Sequence, residues 1–106
     1  YEKLLADTGY ELMKFRKNIR SNKWFYALLC ADSDQRDELI KYLLDKKIQT
    51  RPIWGLINEQ EPYSGTEAYE IEKAKYYWER VVNIPCSTNI TEADIKTVTK
   101  QIKLFK

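Results

Sequence analysis

One short stretch of this sequence collects four side chains that are suited to binding a ligand: Arg51, Trp54, Asn58 and Tyr63. A guanidinium forms two parallel hydrogen bonds to a carboxylate or a phosphate. Indole and phenol rings stack on another ring or pack against a sugar face. We therefore predict that these four residues bind substrate. An edge-strand arginine at the solvent boundary and a hydrophobic plug under the loop remain open alternatives.

The elements that would position this stretch are a strand and a loop. Residues 48–53 are a predicted strand, and Pro52 either confines this strand to an edge of the sheet or ends its pairing, because proline has no backbone N–H. Gly55 frees the backbone of the predicted loop 55–65. Loops held by a rigid scaffold are where binding residues concentrate. The pattern therefore predicts that the four side chains are displayed together where the strand ends.

The rest of the chain shows no arrangement of residues that is typical of a catalytic site. It contains no histidine, which excludes the usual zinc sites and every histidine-dependent triad. Its three glycines are isolated, so there is no phosphate-binding loop, and no lysine stands out as a Schiff-base nucleophile. Cys30 and Cys86 lie in or beside apolar runs and are predicted to be core thiols in a reducing cytoplasm. We predict no catalytic residue, no cofactor-binding residue and no metal site in this chain.

Length and composition favour a single globular domain. The chain has 106 residues, of which 43% are hydrophobic and 32% are charged, as is typical of a folded protein. A net charge of +2 argues against a polyanion, so we predict no nucleic-acid partner. No apolar run reaches the roughly 18 residues that suggest a membrane span. The basic segment 14–23 is either a solvated loop or a segment that faces an anion.

Hydrophobic patterns and capping residues predict an α+β fold. The predicted elements are strands at 24–31, 48–53 and 81–84 and helices at 34–46, 67–79 and 91–104. Asp32-Ser33-Asp34 supplies the N-cap candidates of the first helix, and Ser64 or Thr66 could cap the second. Thr91 with Asp94 forms an acidic capping box at the last helix. We expect a small three-stranded sheet with the helices packed on it.

The strand at 24–31 is apolar on both of its faces, and such strands are covered on both faces. We expect something other than the predicted helices to cover the second face. The chain also begins on an amphipathic fragment without a starting methionine, which suggests a cut inside a longer polypeptide. We assign residues 1–20 to a connecting helix or loop and residues 21–106 to a small domain.

Several motifs, taken in order, resemble the small C-terminal domain of the DegT/DnrJ/EryC1/StrS sugar aminotransferases. They are Asn22-Lys23-Trp24, Arg36–Leu43, Ile48–Trp54, Pro62-Tyr63, Ala74, Ile84-Pro85 and Thr91–Asp94. Single motifs are short, but the ordered set covers nearly the whole chain. The stretches Arg51–Trp54 and Asn83–Ser87 are most similar to the branch that aminates UDP-linked 4-keto-6-deoxy sugars for bacterial surface glycans such as lipopolysaccharide.

The resemblance implies a PLP-dependent, homodimeric enzyme that uses a nucleotide-linked sugar and an amino donor such as glutamate. It also implies that the PLP lysine and the phosphate-binding residues belong to a large N-terminal domain. This chain would then be a C-terminal fragment that binds no PLP and is inactive alone. Many members carry histidine where this chain has Asn58, so a role that needs an imidazole does not carry over.

Two other functions remain open from the sequence. One is a free-standing α+β binding or regulatory module. An RNA-recognition domain in particular would need a fourth strand and a Gly-aromatic signature, and neither is visible in the sequence. A structural or dimerisation domain would overlap with the aminotransferase interpretation, because members of that family are dimers.

Overall fold

An antiparallel sheet of four strands carries the helices of this chain. The computed structural model describes residues 1–6 and 8–105. Its elements are α1 (Glu2–Leu5), β1 (Glu11–Leu12), β2 (Tyr26–Leu29), α2 (Ser33–Asp45), β3 (Arg51–Pro52), α3 (Glu72–Arg80), β4 (Val81–Ile84) and α4 (Glu92–Leu104). Two 3₁₀ turns, at Ile57–Glu59 and Glu61–Tyr63, connect β3 to α3. The strand order is β1-β2-β4-β3, which puts β2 and β4 at the centre.

The α+β fold is confirmed, but the prediction of a three-stranded sheet is wrong. The fourth strand, β1, forms where Glu11 and Leu12 pair with Leu29 and Leu28. Two residues carry no periodic pattern, so β1 exists because β2 offers it a pairing edge. The extra strand does not produce the β-α-β-β-α-β order of ferredoxin-like folds, because α1 and two strands precede α2.

Helix α2 is bounded by local signals at both ends. The side chain of Asp32 accepts a hydrogen bond from the backbone N–H of Gln35 at 2.9 Å, which confirms the predicted N-cap region. At the other end Lys47 has a φ of 64° and donates its backbone N–H to the carbonyl of Leu44. This left-handed residue closes the helix in the position where glycine is most often found.

Helix α3 begins later than predicted, at Glu72 rather than near residue 67. The hydroxyls of Ser64 and Thr66, which we expected to cap it, instead donate to carbonyls three residues earlier in the preceding turn. Hydroxyls used in this way close turns and do not start helices. Arg36 on α2 holds α3 by donating Nη1 to the carbonyl of Trp78 at 2.7 Å.

One face of the sheet, which we call the core surface, packs against α1, α2 and α4. Its cluster of fully or nearly fully buried side chains is drawn from all three helices, from β2 and β4, and from the residues that follow β2 and α2: Leu5, Leu28, Cys30, Leu39, Leu43, Ile48, Val82, Ile84, Val98 and Ile102. Alternate residues of a strand face opposite sides of the sheet. The residues between those core positions therefore form the opposite face.

We call this opposite face the second sheet surface. It carries three polar residues among its apolar ones: Glu11, Met13, Phe25, Ala27, Leu29, Arg51, Ile53, Val81 and Asn83. Residues directly opposite each other on paired strands share a face, and Leu29 pairs with Val81. Met13 extends β1 by donating its N–H to the carbonyl of Ala27 at 2.9 Å. None of these side chains belongs to the core cluster described above. The sheet thus separates the apolar core surface from a second face on which apolar and polar side chains are mixed.

Thr50 is a buried threonine whose hydroxyl is unsatisfied. Only 9% of the residue is exposed, and its Oγ1 has no hydrogen-bond partner within residues 1–6 and 8–105. Burying such a hydroxyl costs roughly 1–3 kcal/mol. We expect Thr50→Val to raise the free energy of unfolding by about 1 kcal/mol in urea titrations.

Thr99→Val is the matched control for this prediction. Thr99 is also buried, but its hydroxyl donates to the carbonyls of Ile95 and Lys96. Removing a satisfied hydroxyl should not stabilise the protein. Equal stabilisation by both substitutions would show that hydrophobicity, and not the unpaired hydroxyl of Thr50, is responsible.

Helix α4 starts in a capping box that makes its stability sensitive to acid. The carboxylate of Asp94 accepts hydrogen bonds from the hydroxyl of Thr91 at 2.6 Å and from its backbone N–H at 2.9 Å. These two hydrogen bonds, the hydroxyl first, lower the pKa of Asp94 below its ordinary value of 3.8. Because the pKa of Asp94 is lower in the folded than in the unfolded state, its carboxylate stabilises the fold at any pH above the unfolded-state pKa. This stabilisation is lost as the pH falls through the folded-state pKa.

We therefore expect Asp94→Asn to reduce the loss of stability below about pH 4. Asparagine keeps an acceptor oxygen but does not titrate in this range. Urea unfolding at a series of pH values checks this, and Glu92→Gln, which changes a neighbouring carboxylate, is the control. An acid profile that Asp94→Asn leaves unchanged would contradict the capping argument.

Candidate functional site

Arg51 lies on the edge strand β3 and shares a face of the sheet with the second sheet surface. It pairs directly with Asn83 of β4, which places both side chains on that face. Arg51 is exposed, whereas Asn83 is only 9% exposed. Arg51 makes no ion pair with any residue that the structure describes. The guanidinium is therefore available to an anionic ligand.

Trp54 lies two residues after the end of β3 and belongs to an aromatic cluster that no pattern in the sequence predicted. Its ring centroid lies 6.0 Å from that of Trp24 and 5.3 Å from that of Phe25, the latter in an edge-to-face arrangement. Such offset and edge-to-face geometries are favourable for aromatic pairs. Trp24 and Trp54 are nevertheless 67% and 66% exposed. The only signal in the sequence was the aromatic start of the predicted strand 24–31.

Asn58 and Tyr63 lie one in each of the two 3₁₀ turns that follow β3. Asn58 is half-buried in the first turn, and Tyr63 is 48% exposed at the end of the second. Gln60 links the turns back to the start of the loop by donating its side-chain amide to the carbonyl of Gly55 at 3.3 Å. The segment from β3 to Tyr63 is thus a continuous, structured strip of surface.

The structure places the four predicted residues on one segment but does not join them to each other. Within the described residues, no ring contact or side-chain hydrogen bond connects any two of Arg51, Trp54, Asn58 and Tyr63. Trp54 instead contacts Trp24 and Phe25, as described above. The geometry provides a guanidinium, an aromatic surface and an amide in sequence along the strip, which suits an elongated ligand with an anionic part and a ring.

The two cysteines are not poised for nucleophilic chemistry. Burial raises the pKa of Cys30 to about 11, so it is a thiol at neutral pH. Cys86 is half-buried and donates its Sγ–H to the carbonyl of Trp24 at 2.9 Å. The prediction of a core thiol is therefore right for Cys30, while Cys86 lies at the boundary and anchors the aromatic cluster.

The lysines are all on the surface wherever the structure describes them. A lysine that forms a Schiff base needs a desolvated or cation-flanked site. Lys23 has the opposite environment, because a hydrogen bond from its ammonium to the carboxylate of Glu2 at 3.3 Å raises its pKa. Every described lysine therefore lies exposed on the surface of this chain.

An open cleft of about 580 Å³ lies away from the segment of the four predicted residues. It is bounded by the end of α2, the loop after β4 and the start of α4, and includes Lys46, Lys47, Ser87 and Asp94. Asp94 is engaged in the capping box. Among the described residues, no group of three or more histidine, cysteine, aspartate or glutamate side chains could hold a metal ion, and no helix is long and apolar enough to cross a membrane.

Comparisons with solved structures identify the fold. CalS13, a sugar aminotransferase from Micromonospora echinospora, superposes with a TM-score of 0.80 and 26% identity over 98% of this chain and 27% of its own. DesI, solved in the presence of its TDP-sugar product, gives a TM-score of 0.83 and 22% identity over 97% of this chain and 28% of its own. Spr1654 from Streptococcus pneumoniae, assigned as a sugar aminotransferase and solved in its PLP form, gives a TM-score of 0.84 and 13% identity over 98% of this chain and 28% of its own.

The chain therefore spans little more than a quarter of the length of these proteins. The likeness extends over 97–98% of this chain. The model of the DegT/DnrJ/EryC1/StrS aminotransferase family matches residues 1–103. This chain belongs to the DegT/DnrJ/EryC1/StrS aminotransferase family.

Proposed function

We propose that this chain is the C-terminal small domain of a PLP-dependent aminotransferase that aminates a nucleotide-linked keto-sugar. The observation that carries the proposal is the family match over residues 1–103, and the TDP-sugar product in the structure of DesI supports a nucleotide-linked substrate. We further propose a UDP-linked 4-keto-6-deoxy sugar, in a pathway that builds bacterial surface glycans such as lipopolysaccharide. The motifs Arg51–Trp54 and Asn83–Ser87 support this narrower assignment.

The strip that follows β3 would bind the substrate. Arg51 would pair with a phosphate or carboxylate, because its exposed guanidinium has a fork of donors that matches either group. Trp54 and Tyr63 would pack against a ring, since both present aromatic surface to solvent. Asn58 would supply an amide hydrogen bond where relatives use histidine. In this proposal the four residues bind and orient substrate and take no part in bond breaking.

The cofactor would be held by another part of the full-length polypeptide. When bound, PLP would supply the electron sink that amino transfer requires. The exposed lysines described above do not fit a PLP site, so the Schiff-base lysine would lie in an N-terminal PLP domain that precedes this chain. We also propose a cytoplasmic homodimer that uses an amino donor such as glutamate. Residues 1–20 would lead from that domain into this one, with Leu5 already packed in the core and Glu11–Leu12 already paired in the sheet of this chain.

The 106-residue chain should acquire no stoichiometric PLP adduct. We expect borohydride reduction of a mixture of chain and PLP to label many lysines at low, similar levels, because all described lysines are solvated surface groups. Peptide mass spectrometry of the reduced chain measures this. A single lysine labelled to completion would place a cofactor site within the chain and contradict the proposal.

Transamination by the full-length protein tests the proposed function directly. The purified enzyme would be incubated with glutamate and a panel of UDP- and dTDP-linked keto-sugars, and amino-sugar formation followed by mass spectrometry. We expect a 4-keto-6-deoxy sugar linked to UDP to be the best substrate. A preference for dTDP-linked sugars would show that the assignment of UDP is wrong. If the enzyme binds PLP but aminates none of the sugars in the panel, the proposal of a sugar-nucleotide substrate is overturned.

A further inference from the structure

Cys86 lies just beyond the point where the pairing of the two central strands stops. The last pair of β2 and β4 is Tyr26 with Ile84, and the chain then continues with Pro85, which has no backbone N–H to donate. In the same register Trp24 would lie opposite Cys86. No backbone N–H of residues 1–6 and 8–105 donates to the carbonyl of Trp24. The thiol of Cys86 donates to it instead, at 2.9 Å.

The backbone of Trp24 is also held at its N–H. This group donates to the side-chain carbonyl oxygen of Asn22 at 3.1 Å. Lys23, between the two, has a φ of 57° in the left-handed region. Asparagine stabilises turns by accepting a hydrogen bond from the backbone two residues further on. Both backbone polar groups of Trp24 are therefore fixed, one by Asn22 and the other by Cys86.

The turn that carries Cys86 is anchored independently of Trp24. The hydroxyl of Tyr1, at the start of α1, donates to the carbonyl of Pro85 at 2.7 Å. The ring of Tyr1 packs on that of Tyr26 in β2, with 5.3 Å between the centroids. Because the turn is tied to α1 and β2 in this way, Cys86 offers Trp24 a fixed point of attachment.

The ring of Trp24 lies beside the strip that follows β3. Its centroid is 4.7 Å from that of Phe25 and 6.0 Å from that of Trp54. Trp24 and Trp54 are 67% and 66% exposed, so the two indoles present a joint aromatic surface to solvent. A fixed backbone below an exposed ring reduces the freedom that ligand binding would otherwise have to restrict. Trp24 is thus pre-organised beside a residue of the candidate site.

We propose that Cys86 is a positioning residue for substrate binding. Its thiol holds Trp24 beside Trp54, and the two indoles together form the part of the site that packs against a ring of the substrate. This inference rests on the proposed function, in which Trp54 binds substrate. Cys86 itself contacts no substrate and takes no part in the reaction. Its influence is on the geometry of Trp24, and through that geometry on substrate affinity.

Kinetics of the full-length enzyme, with glutamate and a UDP-linked 4-keto-6-deoxy sugar, test the proposal. We expect Cys86→Ala to raise KM for the sugar by about threefold or more and to change kcat by less than about twofold, because the indoles bind substrate and transition state alike. Cys86→Ser keeps a hydrogen-bond donor and should keep KM within about twofold of the wild-type value.

Thr88→Ala is the matched control, since Thr88 is exposed in the same loop, and it should leave KM unchanged. An unchanged KM in Cys86→Ala would overturn the proposal. Equal increases in Cys86→Ala and Cys86→Ser would also overturn it, because the hydrogen bond would then not be responsible.

A double-mutant cycle with Trp24→Ala asks whether Cys86 acts through the indole. This substitution keeps the carbonyl that accepts from the thiol but removes the ring. We expect Trp24→Ala to raise KM by about threefold or more, and Cys86→Ala to add less than about 1.5-fold in that background, because residues that act together are not additive. If Cys86→Ala has its full effect in the Trp24→Ala background, Cys86 acts by another route and the proposal is overturned.

Fluorine NMR of the full-length enzyme labelled with fluorotryptophan follows the rings without substrate. Each resonance is assigned by a single tryptophan-to-phenylalanine substitution. We expect Cys86→Ala to shift the resonances of Trp24 and Trp54, and Cys86→Ser to restore them. The resonance of Trp78 should stay unchanged, because Trp78 lies on α3 with its ring 5.6 Å from the guanidinium carbon of Arg36. Equal shifts of all three resonances would indicate a general change of the fold and overturn the proposal.

The spectra and the kinetics together separate failure of this proposal from failure of the proposed function. An enzyme that aminates the keto-sugar, but whose Trp24 and Trp54 resonances do not respond to Cys86→Ala, would overturn the positioning role and leave the proposed function standing. An enzyme that binds PLP, aminates no keto-sugar and shows the expected shifts would overturn the substrate assignment. The positioning of Trp24 by Cys86 would then still stand.

Discussion

Replacing Arg51 with alanine in the full-length enzyme is expected to weaken apparent substrate binding by about 1.5–3 kcal/mol, or roughly 10- to 150-fold. The reason is the loss of charge-assisted hydrogen bonds to a phosphate or carboxylate. The free energy of unfolding should change by less than about 0.5 kcal/mol, because Arg51 is exposed and forms no ion pair within the described residues. Initial-rate kinetics and urea unfolding measure the two effects separately.

Three further variants sharpen this prediction. Arg51→Lys keeps the charge but loses the planar fork, so its effect should fall between those of arginine and alanine. Trp54→Ala should also weaken substrate binding while costing at most about 1–2 kcal/mol of stability, since its ring contacts are solvent-exposed. Lys100→Ala, on the exposed side of α4, should change neither quantity. If the Arg51 and Trp54 variants keep their kinetics but lose stability, these residues support the fold and do not bind substrate.

Leu43→Ala should cause the largest loss of stability among single substitutions considered for this chain. Leu43 is fully buried between α2 and the core surface of the sheet. Truncating a buried leucine removes apolar contacts and leaves a cavity, which costs about 2–5 kcal/mol. Urea or thermal unfolding measures this change in the free energy of unfolding.

Leu44→Ala is the control, because the adjacent residue of the same helix has the same chemistry and helix propensity. Leu44 is 59% exposed, so its truncation should change the free energy of unfolding by less than about 1 kcal/mol. The pair therefore isolates burial from the intrinsic preference of leucine for a helix. Similar losses of stability from both substitutions would mean that α2 does not pack against the core through the face that carries Leu39 and Leu43.

Part of the fold follows from local patterns in the sequence. Helices α2 and α4 begin where Asp32 and Thr91 predicted them, because a cap is a contact between residues three positions apart. Strand β4 also falls on the predicted residues 81–84. The family was likewise visible in the sequence, since its motifs recur in order along the chain.

The candidate site was predictable only as a segment. Arg51, Trp54, Asn58 and Tyr63 were chosen from their chemistry and from the strand-to-loop transition, and the structure places them along that transition. The contacts of Trp54 with Trp24 and Phe25 were not predictable, because they join residues about thirty positions apart. No periodic pattern records which distant segments meet. Whether the four residues bind substrate stays a prediction until the kinetic variants are measured.

The sequence by itself determined where two helices begin, which residues are apolar enough for a core, and the family to which the chain belongs. Tertiary structure alone decided that Glu11 and Leu12 form a fourth strand and that the hydroxyl of Thr50 is buried without a partner. It also decided that the sheet separates the core surface from the second sheet surface. The physical reason is that caps and periodicity are local interactions, whereas strand pairing and burial depend on segments brought together only by folding.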